Sequence, residues 1–571
     1  MTRKLVPLAC VAALAGLSAC KESAGPADHN NPLLRYVPTD AVFVLANLEP
    51  VPSAITDAQL ERSQPMMEQW QQGIDELQDR LANLDAEEDA TAGLADLILA
   101  LADELDGKLN REGIESLGFA LESASAIYSY DLLPVMRLEV SDPEKIRAMI
   151  ARIETRVGTA MPEQRLNDQS SYWMLDEPTT GVRFYLALLD DHLAAGLAPA
   201  ELSDHYLPHF LGETLPAESM DTSGTLQALN AAKGFTPYVS GYLQLEQLAE
   251  MLLTGDSASV QWLSATGGMD RSAISTDCLS EVRQIMAMMP RMVLGNTALE
   301  KDRVDMRYQL ELEPSLAEQL QALTADVPPA SDAPERMVSL SLNVELGRLI
   351  DFVRSSANQM MAEPFRCAPL EPINEQMREL AVAVNQPLPP FLGNFKGLRA
   401  ELATIDPAQL DPGALAGLLS LEMKNPQMMM GMASMFVPGM DQMPLEPGAD
   451  PAPLPEELFA AIGGGLEVYA VMAQEAIGLS FGAGEQAALS DFMALKSDDS
   501  GTLFSIDYDM ATLLELQQDT FGSVMAEVGD PELNARLDAM NAANAAMMGR
   551  IRMAIGFDSD GINMDVDQRF P

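Results

Sequence analysis

The sequence predicts an α+β protein made of two tandem pseudo-repeats, each a mainly antiparallel sheet with helices packed on one face. Three observations predict it. Short segments recur that partly alternate apolar and polar residues, as strands do with one covered and one partly wet face. Five of them return in the same order at separations of 258 to 296 residues. Between them run longer apolar-periodic stretches that open on helix-start signals.

The 571 residues, 47% hydrophobic and 21% charged, suffice for two or more domains that each bury a core. Lys plus Arg total 35 against 85 Asp plus Glu, for a net charge of −50. A field of that sign repels phosphate backbones and anionic lipid surfaces, which excludes nucleic acid as a partner. After the first twenty residues no stretch approaches the roughly 18 uninterrupted apolar residues of a membrane span.

Thr2-Arg3-Lys4 is a cationic start, 5–17 is an apolar run of secretory length, and Leu17-Ser18-Ala19-Cys20 closes it. Residues 1–19 read as a signal peptide. The closing four residues resemble the lipobox of bacterial lipoproteins, where cleavage precedes an acylated cysteine. The resemblance implies that Cys20 becomes the lipidated first residue, carrying acyl chains such as palmitate. More than one chain, at roughly 0.8 kcal/mol per buried methylene, is stable anchoring. Lys21 stands where inner-membrane lipoproteins of enteric bacteria carry Asp, so the resemblance implies an outer-membrane anchor facing the periplasm. Residues 20–35, with Gly25, Pro26 and Pro32, read as a tether.

The first repeat is expected over 36–323. Its opening strand, 42–48, has a counterpart in 338–344, and helical runs at 57–81 and 93–109 flank an acidic loop at 85–89. Leu138-Glu139-Val140-Ser141-Asp142-Pro143 returns as Leu421-Glu422-Met423-Lys424-Asn425-Pro426. In each, a strand ends and Asp or Asn caps a helix whose first position takes proline. The hairpin at 182–193 falls on 466–477, and 238–245 falls on 503–510. Arg291-Met292-Val293-Leu294-Gly295 matches Arg552-Met553-Ala554-Ile555-Gly556. Residues 324–335, rich in Pro, Ala and Asp, have linker composition, and 336–571 form the second repeat. This arrangement, opening on Tyr36-Val37-Pro38-Thr39-Asp40, resembles a group of proteobacterial outer-membrane lipoproteins. That resemblance implies no activity.

Of four cysteines, Cys10 leaves with the signal and Cys20 is lipidated. In an oxidising periplasm, Cys278 and Cys367 are expected to form a disulfide, with two buried thiols as the alternative. One lies in each half, so the bond would cross the junction and fix the halves together.

No motif supplies catalysis. Gly478-Leu479-Ser480-Phe481-Gly482 fits a nucleophile elbow, yet His29, His192, His205 and His209 all precede the serine, and the segment reads as a hairpin strand. His205 and His209 have metal-ligand spacing, but Pro208 between them argues against a helix, and Tyr206 replaces the glutamate of H-E-x-x-H. Asp558-Ser559-Asp560-Gly561 recurs in calcium loops, but Arg569 sits at the twelfth position and a hairpin turn is expected instead. Methionines crowd 423–443. Thioethers there would suit Cu(I), but Met428, Met432 and Met435 are spaced as one helical stripe, which core packing explains more economically. That stripe is the candidate surface for a partner or an apolar ligand.

The expected function is therefore a non-enzymatic, periplasm-facing lipoprotein that binds or scaffolds another envelope component, with no metal and no cofactor. The alternative is a carrier of an apolar ligand held between the two halves.

Overall fold

The computed structural model describes residues 31–64, 100–157, 163–166, 170–177, 181–267, 271, 274–387, 392–403, 415–433, 445–454, 467–497, 501–514 and 549–570. Cys20, Met435 and most of the two helical runs expected at 57–81 and 93–109 lie outside them. The chain is mixed α+β and divides into two compact units, Met1–Ala273 with Arg291–Met306, and Ile274–Pro290 with Arg307–Pro571.

In the first unit the strands are β1 (Phe43–Ala46), β2 (Ser125–Tyr130), β3 (Leu133–Glu139), β4 (Gln164–Arg165), β5 (Ser171–Glu177), β6 (Val182–Leu189), β7 (His192–Pro199), β8 (Ser240–Gln244) and β9 (Arg291–Leu299). They pair antiparallel in the order β4-β5-β6-β7-β3-β2-β1-β8-β9. The strand β10 (Arg303–Glu311) is divided between the units after Met306. After β3 comes helix α1 (Pro143–Val157), whose first turn is capped by Asp142 Oδ1 accepting the Glu144 and Lys145 N–H groups. After β7 comes α2 (Ser203–Phe210).

These two helices lie against opposite faces of the sheet, where the sequence predicts helices on one face only. Tyr206 and Phe210 of α2 join a core with Val44, Ala126, Val135 and Ala187. Ile146, Met149 and Ile150 of α1 join Trp173, Leu188 and Leu193. The reason is that β6 and β7 are apolar on both sides, Ala187 facing one core and Leu188 the other, so both sides need cover. Pro208 sits inside α2 despite its missing N–H. The helix is eight residues long, so few intrahelical bonds are at stake, and burial of Tyr206 and Phe210 offsets the loss.

In the second unit the strands are β11 (Arg336–Asn343), β12 (Phe395–Ala403), β13 (Gly417–Met423), β14 (Ala452–Pro453), β15 (Val468–Met472), β16 (Ala476–Phe481), β17 (Thr502–Asp509), β18 (Arg550–Asp558) and β19 (Gly561–Arg569). Their order is β14-β15-β16-β13-β12-β11-β17-β18-β19, again antiparallel throughout. The helices used below are α3 (Thr276–Met288), α4 (Pro314–Gln321), α5 (Leu346–Ala362), α6 (Glu371–Val384), α7 (Pro426–Ala433) and α8 (Gln486–Ala494).

Two expectations about the junction are corrected here. Cys278 and Cys367 are bonded, with Cα atoms 4.5 Å apart, but both belong to the second unit, so the bond joins two segments of that unit, and the chain between them passes through Arg291–Met306 of the first. Glu281 of α3 accepts the Arg366 and Cys367 N–H groups at 2.8 and 3.0 Å, which seats α3 beside the 365–367 segment. Residues 324–335 are not a free linker: Val327 and Ala330 are buried, and side chains of β11 and β17 hold their backbone. Composition had suggested a solvated segment, but its Pro and Ala residues pack as a lid on the sheet.

Candidate functional site

The second unit's sheet distributes polarity in an unusual way. On one face a row crosses six neighbouring strands as Leu418, Glu401, Ser339, Asp507, Arg552 and Asp567. One residue along, the opposite face carries Leu419, Ala400, Leu340, Ile506, Met553 and Val566, continued by Leu479 on β16. Ser339, Asp507 and Glu401 are buried, whereas every residue of the apolar row is only half-buried. The rows beside it repeat this, with Leu342, Leu398 and Phe504 half-buried against Ser341, Arg399 and Ser505 buried.

The polar face is closed by main chain and by ion pairs. Ser505 Oγ accepts the Ala330 N–H at 2.8 Å, Ser341 Oγ donates to the Pro328 carbonyl at 2.7 Å, and Asn343 Nδ2 donates to the carbonyls of Val327 and Thr502. Backbone laid across a sheet needs such partners, which is why serine and asparagine occupy these positions. Arg336 bridges Glu401 and Glu485 at 3.0 and 2.8 Å, Arg399 meets Glu422 at 3.3 Å, and Asp507 pairs with Arg550. Burial lifts the Glu401 and Asp507 carboxyls above their ordinary range, against the pull of these arginines, and lowers the Arg399 guanidinium. The hydroxyls of Ser339 and Ser480 have no hydrogen-bond partner among the described residues. Leaving a buried hydroxyl unpaired costs about 1–3 kcal/mol, so stability has been given up to keep this face polar.

A second cluster lies in the first unit. Arg137 on β3 is fully buried and donates to Tyr128 Oη at 3.0 Å, His192 Nε2 at 2.8 Å and the Phe210 carbonyl at 2.8 Å, under the Tyr36 ring at 4.0 Å. His192 opens β7, paired with Leu189 across the β6–β7 turn, and is buried there, with its Nδ1 2.8 Å from Asp191. An open recess of about 290 Å³, solvent space included, is lined by Tyr36, Tyr130, His209 and Phe210 beside it. Every donor of Arg137 that reaches an acceptor is spent inside the fold, so the cluster braces the recess and presents no free charge to it.

Met428 and Met432, expected to form a ligand surface, are half-buried on α7, with Met428 Sδ 4.0 Å from Asn394 Nδ2; Met435 lies outside the described residues. On the corresponding helix of the first unit, α1, Ile146 and Met149 are buried. His205 and His209 do share a helix, but His205 is exposed and His209 stacks on Tyr130 at 4.1 Å; burial and the neighbouring His205 lower the His209 pKa. Among the described residues, no group of three or more His, Cys, Asp or Glu side chains is placed to hold a metal ion. Ser480 is buried on β16 between β13 and β15, and Asp558 accepts the N–H groups of Asp560 and Gly561 in the β18–β19 turn. Among the described residues no helix is long and apolar enough to cross a membrane.

The half-open aliphatic face was not singled out from the sequence. Its signal is present in Leu503-Phe504-Ser505-Ile506-Asp507-Tyr508, where alternation is plain. Comparison with family models, with curated proteins and with solved structures finds no match.

Proposed function

We propose that this chain is a non-enzymatic, lipid-anchored binding protein of the cell envelope, held at the outer membrane through Cys20 and facing the periplasm. The observation that carries the reading is the second unit's sheet, which encloses its polar face and leaves an aliphatic face half-open. A fold arranged in that way has reserved apolar surface for something other than its own core. The lipobox supports the anchor and the compartment, and the Cys278–Cys367 bond is in keeping with an oxidising environment.

The two units further read as tandem copies, and their strand registers support this. With Arg137 set equivalent to Ser420, moving one strand across gives Ala126 with Arg399, then Ala46 with Ser341, then Ser240 with Ser505. Moving the other way gives Ala194 with Gly478 and Ala187 with Val471. The Ser240–Ser505, Ala194–Gly478 and Arg137–Ser420 matches coincide with those read from sequence similarity alone; the opening strand needs a one-residue change from the 42-to-338 alignment. In this reading 324–335 begins the second copy, as 28–39 begins the first.

Two measurements test the function. Metabolic labelling with radioactive palmitate is expected to mark the wild-type chain and not Cys20→Ser, and cross-linking in intact cells is expected to recover a bound component at the second unit. An unlabelled mature chain would sink the anchored reading. Turnover of a substrate at an identified pocket would sink the non-enzymatic one.

A further inference from the structure

We propose that the half-open aliphatic face of the second unit binds the acyl chains of a zwitterionic membrane phospholipid. This rests on the binding reading above and names its ligand.

The chemistry of the face selects the occupant. The row from Leu479 to Val566 offers methyl, methylene and thioether groups and no hydrogen-bond donor or acceptor. From β16 to β18 every strand under the row is already paired on both sides, so an added peptide strand finds no free edge there. A saccharide or a peptide main chain laid there would leave its polar groups unpaired, whereas hydrocarbon has none to satisfy. Seven strands at roughly 4.8 Å spacing make the row about 29 Å long. One leaflet of a bilayer holds acyl chains about 15 Å deep, half of the roughly 30 Å hydrocarbon core, so the row has length for the chains of one lipid with room to shift.

The charges at one end of the face select the headgroup. Lys396 at the start of β12 pairs with Glu475 at 2.8 Å, and Lys424 just past β13 pairs with Glu345 at 2.6 Å. The Val344 N–H bonds the Lys396 carbonyl and the Met423 N–H bonds the Glu475 carbonyl, which keeps all four residues at the same end of neighbouring strands. Across neighbouring strands the order is Glu475, Lys424, Lys396 and Glu345, two cations between two anions, a pattern matched by a headgroup that carries both a phosphate and an ammonium. A headgroup of one sign would be repelled by half of them. A protein of net charge −50 is in any case a poor receptor for a purely anionic lipid.

The test uses the full-length, anchored protein, extracted gently and examined by native mass spectrometry, with vesicles of phosphatidylethanolamine as donor. Wild type is expected to retain close to one phospholipid per chain. The double variant Leu340→Gln/Ile506→Gln should lose at least tenfold of it, while Ser339→Ala, on the same strand but the opposite face, should retain it. Because the double variant could misfold, a phosphatidylethanolamine with a diazirine in its acyl chain is photolysed on wild-type protein. Adducts are expected on peptides spanning 338–342 or 504–508. Retention unchanged in the folded double variant, adducts confined elsewhere, or a dimer that the double variant dissociates would each overturn the proposal. Palmitate labelling of Cys20 with no phospholipid bound to wild type sinks this inference alone; absence of both labelling and any bound component sinks the broader reading.

Discussion

At the scale of single residues the most constrained group is His192. Arg137 can only donate, so His192 Nε2 must be the acceptor at 2.8 Å, and the ring proton lies on Nδ1 toward Asp191. Burial, and after it the proximity of Arg137, depresses the histidine pKa, although Asp191 pulls it the other way. A histidine whose folded pKa is depressed contributes stability that is fully present above its unfolded value, about 6.5, and is lost as the pH falls through the folded one. Asp191, held low first by its hydrogen bond to His192, adds to that loss at more acid pH. Wild-type Tm should therefore fall between pH 7.5 and 5, and His192→Gln, which keeps a polar partner for Arg137, should fall less steeply. Thermal melts across that range check it; parallel slopes for the two proteins would remove His192 from the account.

At the scale of elements, helix starts were the most legible feature. Asp142-Pro143 and Asn425-Pro426 predict a capped first turn, and both caps form: Asp142 Oδ1 accepts at 3.1 and 3.3 Å, Asn425 Oδ1 accepts the Met428 N–H at 3.0 Å. The hairpins at 182–193 and 466–477 were legible for a similar reason, because their turns and alternation are local. What lies over each face was not. Alternation in β11 states that Leu340 and Ser339 point oppositely, but which of them is enclosed depends on the 324–334 segment, whose composition reads as solvated chain. The cap makes a quantitative prediction. Asp142→Ala should destabilise the first unit by about 1 kcal/mol, while Asp142→Asn should stay within a few tenths because Asn425 shows an amide oxygen capping the corresponding turn. Urea denaturation measures both, and equal losses would mean that the α1 N-terminus is held by its packing instead of its cap.

At the scale of the whole molecule the cysteine count was legible and the consequence drawn from it was not. An even pair in a secreted chain predicts a bond, and the bond is present. Assigning one cysteine to each half assumed that the chain changes unit at 324–335, whereas Ile274–Pro290 already belongs to the second unit. The bond joins two segments of the second unit, while the loop it closes carries Arg291–Met306 of the first. It closes a loop between residues separated by 89 positions, and in the chain-entropy description a loop of that length stabilises by about 4–5 kcal/mol by restricting the unfolded chain. Calorimetry of the intact protein is expected to resolve two transitions, of which reductant lowers the second unit's, where both cysteines sit, more than the first's. Limited proteolysis between the two temperatures should then spare the first unit's peptides and cut those of 307–571. Two transitions lowered equally by reductant would mean that the bond acts on both units alike through the 291–306 segment, and the larger effect assigned here to the second unit would fall.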